Sequence, residues 1–371
     1  MPFLIPYLER LRLSCSLVSA LDQSVWLAFI PPAPVAGPVQ FDSLYGHRSE
    51  RALYNLENLT RARDKRRTVV AARAGFSDFF VPVVRGSEVQ AFLVCGPFRR
   101  SLPDRAELLK MWSELTGRIT RADDPELFAY ARGALGSALL GGELFGVTRR
   151  LLETSAKLLA DPKALPSFKA FVRTSLHRLD RAPATMHALA NGLVDPVRGP
   201  TLRDVALGPQ YAALGVSRLF SHVVALAARS HAGSGDGLAE LVEGRHLLEH
   251  GTRVALQIRD TLCGPIGGAG VFFLTSPSPG ERIEERVEAL RRSVERTLGG
   301  PTCAGFSAQA SGEHWPQAYD QASLALQLAL GEARPVVSFV GSQRRRARIV
   351  DAYRQRSKQL CRAVSSGSAA T

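Results

Sequence analysis

His246-Leu247-Leu248-Glu249-His250 is the one run in this 371-residue chain with the spacing of a metal site. On a helix its two histidines lie one turn apart and could share a zinc ion while Glu249 serves as general base, the H-x-x-E-H arrangement of a zinc peptidase. A third ligand would have to come from Glu281, Glu284, Glu285 or Glu288, and the spacing singles out none of them. Two histidines and a glutamate on an exposed polar helix face also arise readily by chance, and the run reads first as such a face. A second run is Gly267-Gly268-Ala269-Gly270-Val271-Phe272-Phe273-Leu274, a glycine turn that leads into an apolar strand. Such a turn lets a phosphate approach the backbone, and it serves equally as a plain bend between strands. No phosphate-reading lysine follows it at a diagnostic distance, and neither G-x-S-x-G nor G-x-x-x-x-G-K-[ST] occurs in the chain. His47, His177, His187, His222, His231 and His314 form no spaced cluster, and Trp26, Trp112 and Trp315 are too dispersed for a base-stacking platform. No cofactor and no metal are expected.

Composition narrows the class. With 45% hydrophobic residues the chain can bury two or three cores. No apolar run reaches the roughly 18 residues of a membrane span, and the N-terminus has no basic region ahead of an apolar one, so a cytoplasmic, membrane-free protein is expected. Cys15, Cys95, Cys263, Cys303 and Cys361 are scattered and odd in number, which reads as buried free thiols. The net charge of +13 is uneven: Gly341 to Arg362 carries Arg344, Arg345, Arg346, Arg348, Arg354, Arg356, Lys358 and Arg362 against Asp351 alone. Arg344, Arg345, Arg346 and Arg348 are the candidate contacts to DNA or to an acidic protein. A second basic cluster, Arg61 to Arg67, reads as a solvated face.

Periodicity places the elements that would position these groups. A helical start runs to about Ser19, a strand lies near Trp26 to Ile30, a proline-rich loop extends through Pro38, and a helix spans about Ser49 to Arg63. A hairpin follows: Phe79 to Val84, the turn Arg85-Gly86-Ser87-Glu88, then Val89 to Phe98. Leu102 to Arg181 reads as helices, including one with Leu127, Phe128, Ala131 and Leu135 and another with Leu144, Val147, Leu151 and Leu152. Ala182 to Pro209 reads as a boundary. The last unit shows a strand near Val216 to Ala227, a helix over about Leu238 to Leu262, the glycine hairpin, an amphipathic helix through Ile283, Val287, Leu290, Val294 and Leu298, a strand from Thr302 to Ala308, a helix from Trp315, and a closing strand at Val336 to Phe339. This β-α-β-β-α-β-α-β order predicts an α/β sandwich.

Two segments resemble known families. The phenylalanine-rich strand, Pro82-Val83-Val84, and the strand ending Gly96-Pro97-Phe98 resemble the PAS/GAF-like sensory domains, of the PocR type, of AraC-family transcriptional regulators. The Gly267-Gly268 segment and the Trp315 to Leu326 helix resemble the GGDEF domain of diguanylate cyclases, with Ala269 and Gly270 standing where that family has acids. The strand Val223 to Arg229 offers no carboxylate either, so two-metal phosphoryl chemistry lacks its oxygen ligands. The resemblance covers roughly residues 65 to 340. It implies an α+β chain: a PAS/GAF-like antiparallel-sheet sensor at 1–120, a helical connector at 121–209, a degenerate GGDEF-like α/β sandwich at 210–341, and a basic helix and flexible tail at 342–371. Regulators of this family end in a pair of helix-turn-helix motifs, and the 30 residues after Gly341 are too few to supply one.

The implied function is ligand sensing without catalysis, with an unidentified small molecule as ligand and a homodimer as the expected assembly. Trp26, Phe80, Phe92, Cys95 and Phe98 are the candidate cavity lining, although strand alternation explains them equally as core. A standalone protein-binding adaptor is the alternative, and a zinc peptidase using the His246 helix is the enzymatic one.

Overall fold

The computed structural model describes residues 2–31, 38–118, 121, 124–180, 183–195, 208–217, 219–229, 236–267, 270–310 and 314–340. The chain divides into two compact units. Unit 1 comprises residues 1–188 with 212–214 and 234–246, and unit 2 the remainder. Among the described residues no helix is long and apolar enough to cross a membrane.

Unit 1 begins with helix α1 (Ile5–Leu11), whose Leu8 and Leu11 are buried. Arg12 then takes a left-handed conformation, φ 54°, and the chain turns at once into β1 (Ser14–Ser19). The helix expected to run to Ser19 therefore stops eight residues early, because Leu13, Cys15 and Val18 are needed in the sheet core. Next come β2 (Val25–Phe29), α2 (Pro38–Tyr45), α3 (Arg48–Lys65), β3 (Val69–Arg73), β4 (Phe76–Arg85) and β5 (Glu88–Arg99). The expected hairpin is β4–β5, closed by the pair Arg85 and Glu88 around Gly86, φ 61°. Ala74 and Gly75 close β3 onto β4 with φ 47° and 79°, the pair of positive values a tight two-residue hairpin turn needs. The strands lie in the order β2-β1-β5-β4-β3, every neighbouring pair antiparallel.

Strand alternation gives this sheet two apolar faces. Phe79, Val81, Val83, Leu93, Cys95 and Phe98 pack with α1, with α6 (Gly142–Ala160) and with α7 (Leu165–Asp180). Phe80 and Phe92 point the other way, onto Tyr54, Leu59 and Ala62 of α3. A further core joins Phe41 of α2 and Phe76 to helices α4 (Arg105–Thr116) and α5 (Pro125–Gly136). Short β6 (Ala138–Leu139) adds to β5 in parallel. Helices α5 and α6, expected to lie in a connector at 121–209, are thus integral to unit 1. Their apolar stripes cover sheet surface that would otherwise face water, and full burial of one such side chain is worth about 1.5–3 kcal/mol. Helix α8 (Pro183–Val194) occupies part of the stretch expected to be a boundary.

His187, on α8, is buried, and its imidazole is pushed down to about 3 by that burial, with Arg245 and Arg12 adding to it. In an unfolded chain the same ring protonates near 6.5, so between about 6.5 and 3 the unfolded state binds a proton that the folded state refuses. The contribution of neutral His187 is complete above that window and is lost as pH falls through it, by up to about 1.4 kcal/mol per pH unit. Urea midpoints measured at pH 7.5 and pH 5 should fall with acid. The drop should be smaller in His187→Gln, and an equal drop in both proteins would refute this assignment.

After α9 (Pro209–Ala213), whose Ala212 and Ala213 group with unit 1, unit 2 contains β7 (His222–Ala228), α10 (Gly237–Gln257), β8 (Thr261–Ile266), β9 (Gly270–Thr275), α11 (Ile283–Leu298), β10 (Thr302–Phe306), α12 (Trp315–Gly331) and β11 (Val336–Ser338). The part of α10 up to His246 groups with unit 1. From β7 onward the elements follow the expected β-α-β-β-α-β-α-β order. Strand order is β11-β10-β7-β9-β8, with β9 inserted between β7 and β8, a split β-α-β arrangement. Only β10 and β11 run parallel. Phe272 meets Tyr319 of α12 edge-on at 5.1 Å. Val271 and Phe273 lie instead against Gly251 of α10, where an added Cβ would stand 3.0 Å from Val271. Helices therefore cover both faces of the sheet. Two boundaries differ from expectation: α10 ends at Gln257, not Leu262, and β7 starts at His222, not Val216.

Candidate functional site

The residues expected to line a cavity do not come together. Phe80 and Phe92 are fully buried on the α3 side of the sheet, Cys95 and Phe98 on the α6 side, and Trp26 on edge strand β2 is 54% exposed. Phe98 stacks on Phe79 at 4.5 Å, which is core packing. The four described cysteines are free and buried. Arg344, Arg345, Arg346 and Arg348 lie outside the described residues, as do Gly268 and Ala269.

On α10, His246 Nε2 lies 3.3 Å from the carbonyl oxygen of Pro103, and Glu249 is paired with Arg253. Among the described residues no three His, Cys, Asp or Glu side chains gather as a metal could use. In unit 2 all of His222–Ala228 is buried and carries no carboxylate, and Gly267, between β8 and β9, has φ 52°.

Charge is concentrated elsewhere, at the end of the unit 1 sheet beside α2, α3 and α5. Arg73 of β3 forks onto Asp42 of α2, with Nε 3.3 Å from Oδ2 and Nη2 3.2 Å from Oδ1, and Nη2 also lies 3.3 Å from Glu50. Arg51 of α3 reaches Asp42 at 3.7 Å and Asp78 of β4 at 3.5 Å. The hydroxyl of Tyr54 lies 3.1 Å from Asp78 Oδ2 and 3.0 Å from the Ala71 carbonyl oxygen. Burial raises the Asp78 carboxyl above the ordinary aspartate range, against the opposing pull of Arg51 and the Tyr54 hydrogen bond. Burial, reinforced by the Asp78 charge, raises the Tyr54 phenol. The fork onto Asp42 is the strong, planar kind of ion pair, and its partners are rigidly placed.

An aromatic cluster packs beside this charge cluster and reaches the cleft through Tyr130. Phe41, Tyr45, Trp112 and Tyr130 meet at centroid distances of 5.1 to 6.2 Å. Tyr130 is 1% exposed, its phenol raised by burial, and neither its hydroxyl nor the Trp112 indole N–H has a hydrogen-bond partner among the described residues. Arg99 lies nearby with 8% exposure: it donates to the Ser101 carbonyl at 3.2 Å and to the Met111 sulfur at 3.2 Å, stands over the Phe76 ring, and forms no ion pair among the described residues. Burial lowers its pKa. Tyr130, Asp42, Arg51, Arg73, Phe76 and Leu115 line a cleft with a free volume of about 10 Å³, room for about one water.

None of these side chains stood out in the sequence. Asp78 left the clearest trace, a lone acid inside the otherwise apolar strand Phe76–Val84. Gly96, in the Gly96-Pro97-Phe98 signature, owes its identity to that acid: a Cβ there would sit 2.2 Å from Asp78 Oδ1. No family model and no curated protein matches the sequence.

Proposed function

We propose that the chain is a non-catalytic, ligand-sensing protein of the transcriptional-regulator type, in which unit 1 takes up a small polar molecule at the Tyr130 cleft and unit 2 is a GGDEF-like module without metal chemistry. The observation that carries this reading is a buried donor left over at the cleft, the Tyr130 hydroxyl, packed against Trp112, whose indole N–H is also unpartnered, with Arg99 nearby and without a carboxylate partner among the described residues. A buried donor without a partner costs about 1–3 kcal/mol, so its retention needs a reason. A ligand bearing carboxylate, carbonyl or hydroxyl oxygens supplies one, and it would widen the cleft by shifting α2 or α5, a change of population between closed and open forms. The antiparallel sheet of unit 1 and the β-α-β-β-α-β-α-β order of unit 2 support the two family resemblances.

A thermal-shift screen of small metabolites tests the proposal. A true ligand at about 100 times its Kd stabilises by about 2.7 kcal/mol, which is roughly 5–10 °C for a unit of this size. Tyr130→Phe removes an unsatisfied hydroxyl without opening a void, so the variant alone should melt no lower than the native protein. Its ligand-induced shift should nevertheless shrink. A flat response across a broad library, or an undiminished shift in Tyr130→Phe, would count against the site.

A further inference from the structure

We propose that the concave basic surface formed by α3, β3 and α6 is a site for a polyphosphate group, such as the triphosphate of a small metabolite. Arg61, Lys65, Arg67, Thr68 and Arg149 surround a cavity of about 320 Å³ floored by Val69 and Val70. That volume falls at the lower end of small-molecule sites. Strand β3 is the last strand of its sheet, so no further strand closes this side.

The charges are arranged and largely unspent. Arg61 and Lys65 are four residues apart on α3 and share a face, a like-charge spacing that repels and that an anion would relieve. Among the described residues neither they nor Arg67 forms an ion pair. Arg61 Nη1 donates to Asn58 Oδ1 at 3.1 Å, which aims the guanidinium without neutralising it. Glu153 accepts from Arg149 Nε at 2.9 Å and from the Thr68 hydroxyl at 2.8 Å, so one carboxylate fixes residues from both sides of the cavity. Four cations against Glu153 leave a local charge of +3, suited to the three or four negative charges of a triphosphate. A single phosphate would use only part of it. Guanidinium forks bind phosphate oxygens in pairs, and the lysine adds a point charge.

Calorimetric titration of the full-length protein with inorganic tripolyphosphate, at about 0.15 M salt to screen diffuse attraction, tests the site. Saturable one-to-one binding is expected, weakened roughly tenfold or more in Lys65→Ala/Arg67→Ala, where tenfold corresponds to about 1.4 kcal/mol. It should survive in a variant with Arg344, Arg345, Arg346 and Arg348 changed to alanine, and in Arg296→Ala. Adenosine and guanosine triphosphates run alongside show whether a base adds to the phosphate chain, and equal or tighter binding of either supports the site. No saturable binding overturns the proposal, as does binding lost with the tail arginines. Preferential, steeply salt-dependent binding of duplex DNA with no competition by tripolyphosphate also overturns it.

Discussion

Gly305→Ala should largely prevent unit 2 from folding. Gly305 lies in β10 between β7 and β11, where helix α12 crosses the sheet. A Cβ at this position would stand 2.0 Å from the Leu326 nitrogen, 2.5 Å from the Ala325 carbonyl carbon and 2.6 Å from the Ala322 carbonyl oxygen. All three are backbone atoms of α12, so no side-chain rotation can relieve the overlap. Either the whole helix lifts, opening the contacts of buried Ala318, Ala322, Ala325 and Ala329, or the strand leaves the ladder. Overpacking by a methylene in a well-packed core costs about 1–3 kcal/mol where side chains can shift, and a backbone-on-backbone overlap should exceed that range. Gly300→Ala is the control. Its Cβ would meet nothing within 4 Å and its φ is ordinary, so stability should change by no more than about 1 kcal/mol, in the stabilising direction. Scanning calorimetry of both variants separates the cases, and a Gly305→Ala protein with native melting would show that the backbone of α12 does not pack directly on Gly305.

Gly96→Ala should be the most damaging single change at the proposed ligand site. The added Cβ, at 2.2 Å from Asp78 Oδ1 and 3.0 Å from the Ser77 carbonyl oxygen, would drive the carboxylate away from Tyr54 and Arg51. Asp78 is 3% exposed, so the displaced charge has no route to water. Breaking a buried pair by dislodging one partner costs about 3–5 kcal/mol, and Arg51, which keeps Asp42 as a second partner, places this case at the lower end. The cause can be isolated by a double-mutant cycle. Asp78→Ala alone should also destabilise, because it removes one partner each from Arg51 and Tyr54, which keep Asp42 and the Ala71 carbonyl, and leaves a buried void. Combined with Gly96→Ala it should cost about 1–3 kcal/mol less than the sum of the two, since the atom that clashes is gone. Strict additivity in urea denaturation would mean that the two residues do not meet.

What could be read in advance was what short-range pattern encodes. The β4–β5 hairpin was legible from two β-rich runs around Gly86, and α11 from apolar residues at steps of four, three, four and four, of which Val287, Leu290 and Val294 are buried. Elements that end without glycine or proline were misplaced. Arg12 stops α1 with φ 54°, and Asp260, just past the end of α10, takes φ 53°; arginine does not announce a left-handed turn, and aspartate does so only weakly, less than glycine or asparagine. Asp260 is held there by Ser217, whose N–H donates to its carboxylate at 2.6 Å and whose hydroxyl adds a bond at 3.0 Å, a pairing 43 residues apart in sequence. The same bond occupies a backbone N–H that strand β7 was expected to use.

The candidate site was hidden for a related reason. Trp26, Phe80, Phe92, Cys95 and Phe98 are aromatic or soft side chains on strands; Trp26 lies exposed on the edge strand, and alternation sends the other four to opposite faces of the sheet, each covered by helices. A cluster such as Asp42, Arg51, Arg73 and Asp78 draws on four elements, and only the folded chain reveals that Tyr130 and Trp112 keep unused donors. In a linear sequence a buried arginine such as Arg99 looks like any other.

Sensing without catalysis is most directly tested by incubating the purified full-length protein with GTP and Mg²⁺ or Mn²⁺ and resolving the nucleotides by chromatography. The expected result is unchanged GTP, because β7 presents no carboxylate and the sequence after Gly267-Gly268 continues with Ala269 and Gly270, neither of them an acid. Formation of a cyclic dinucleotide or of GDP, dependent on the divalent ion and growing with protein concentration, would contradict it.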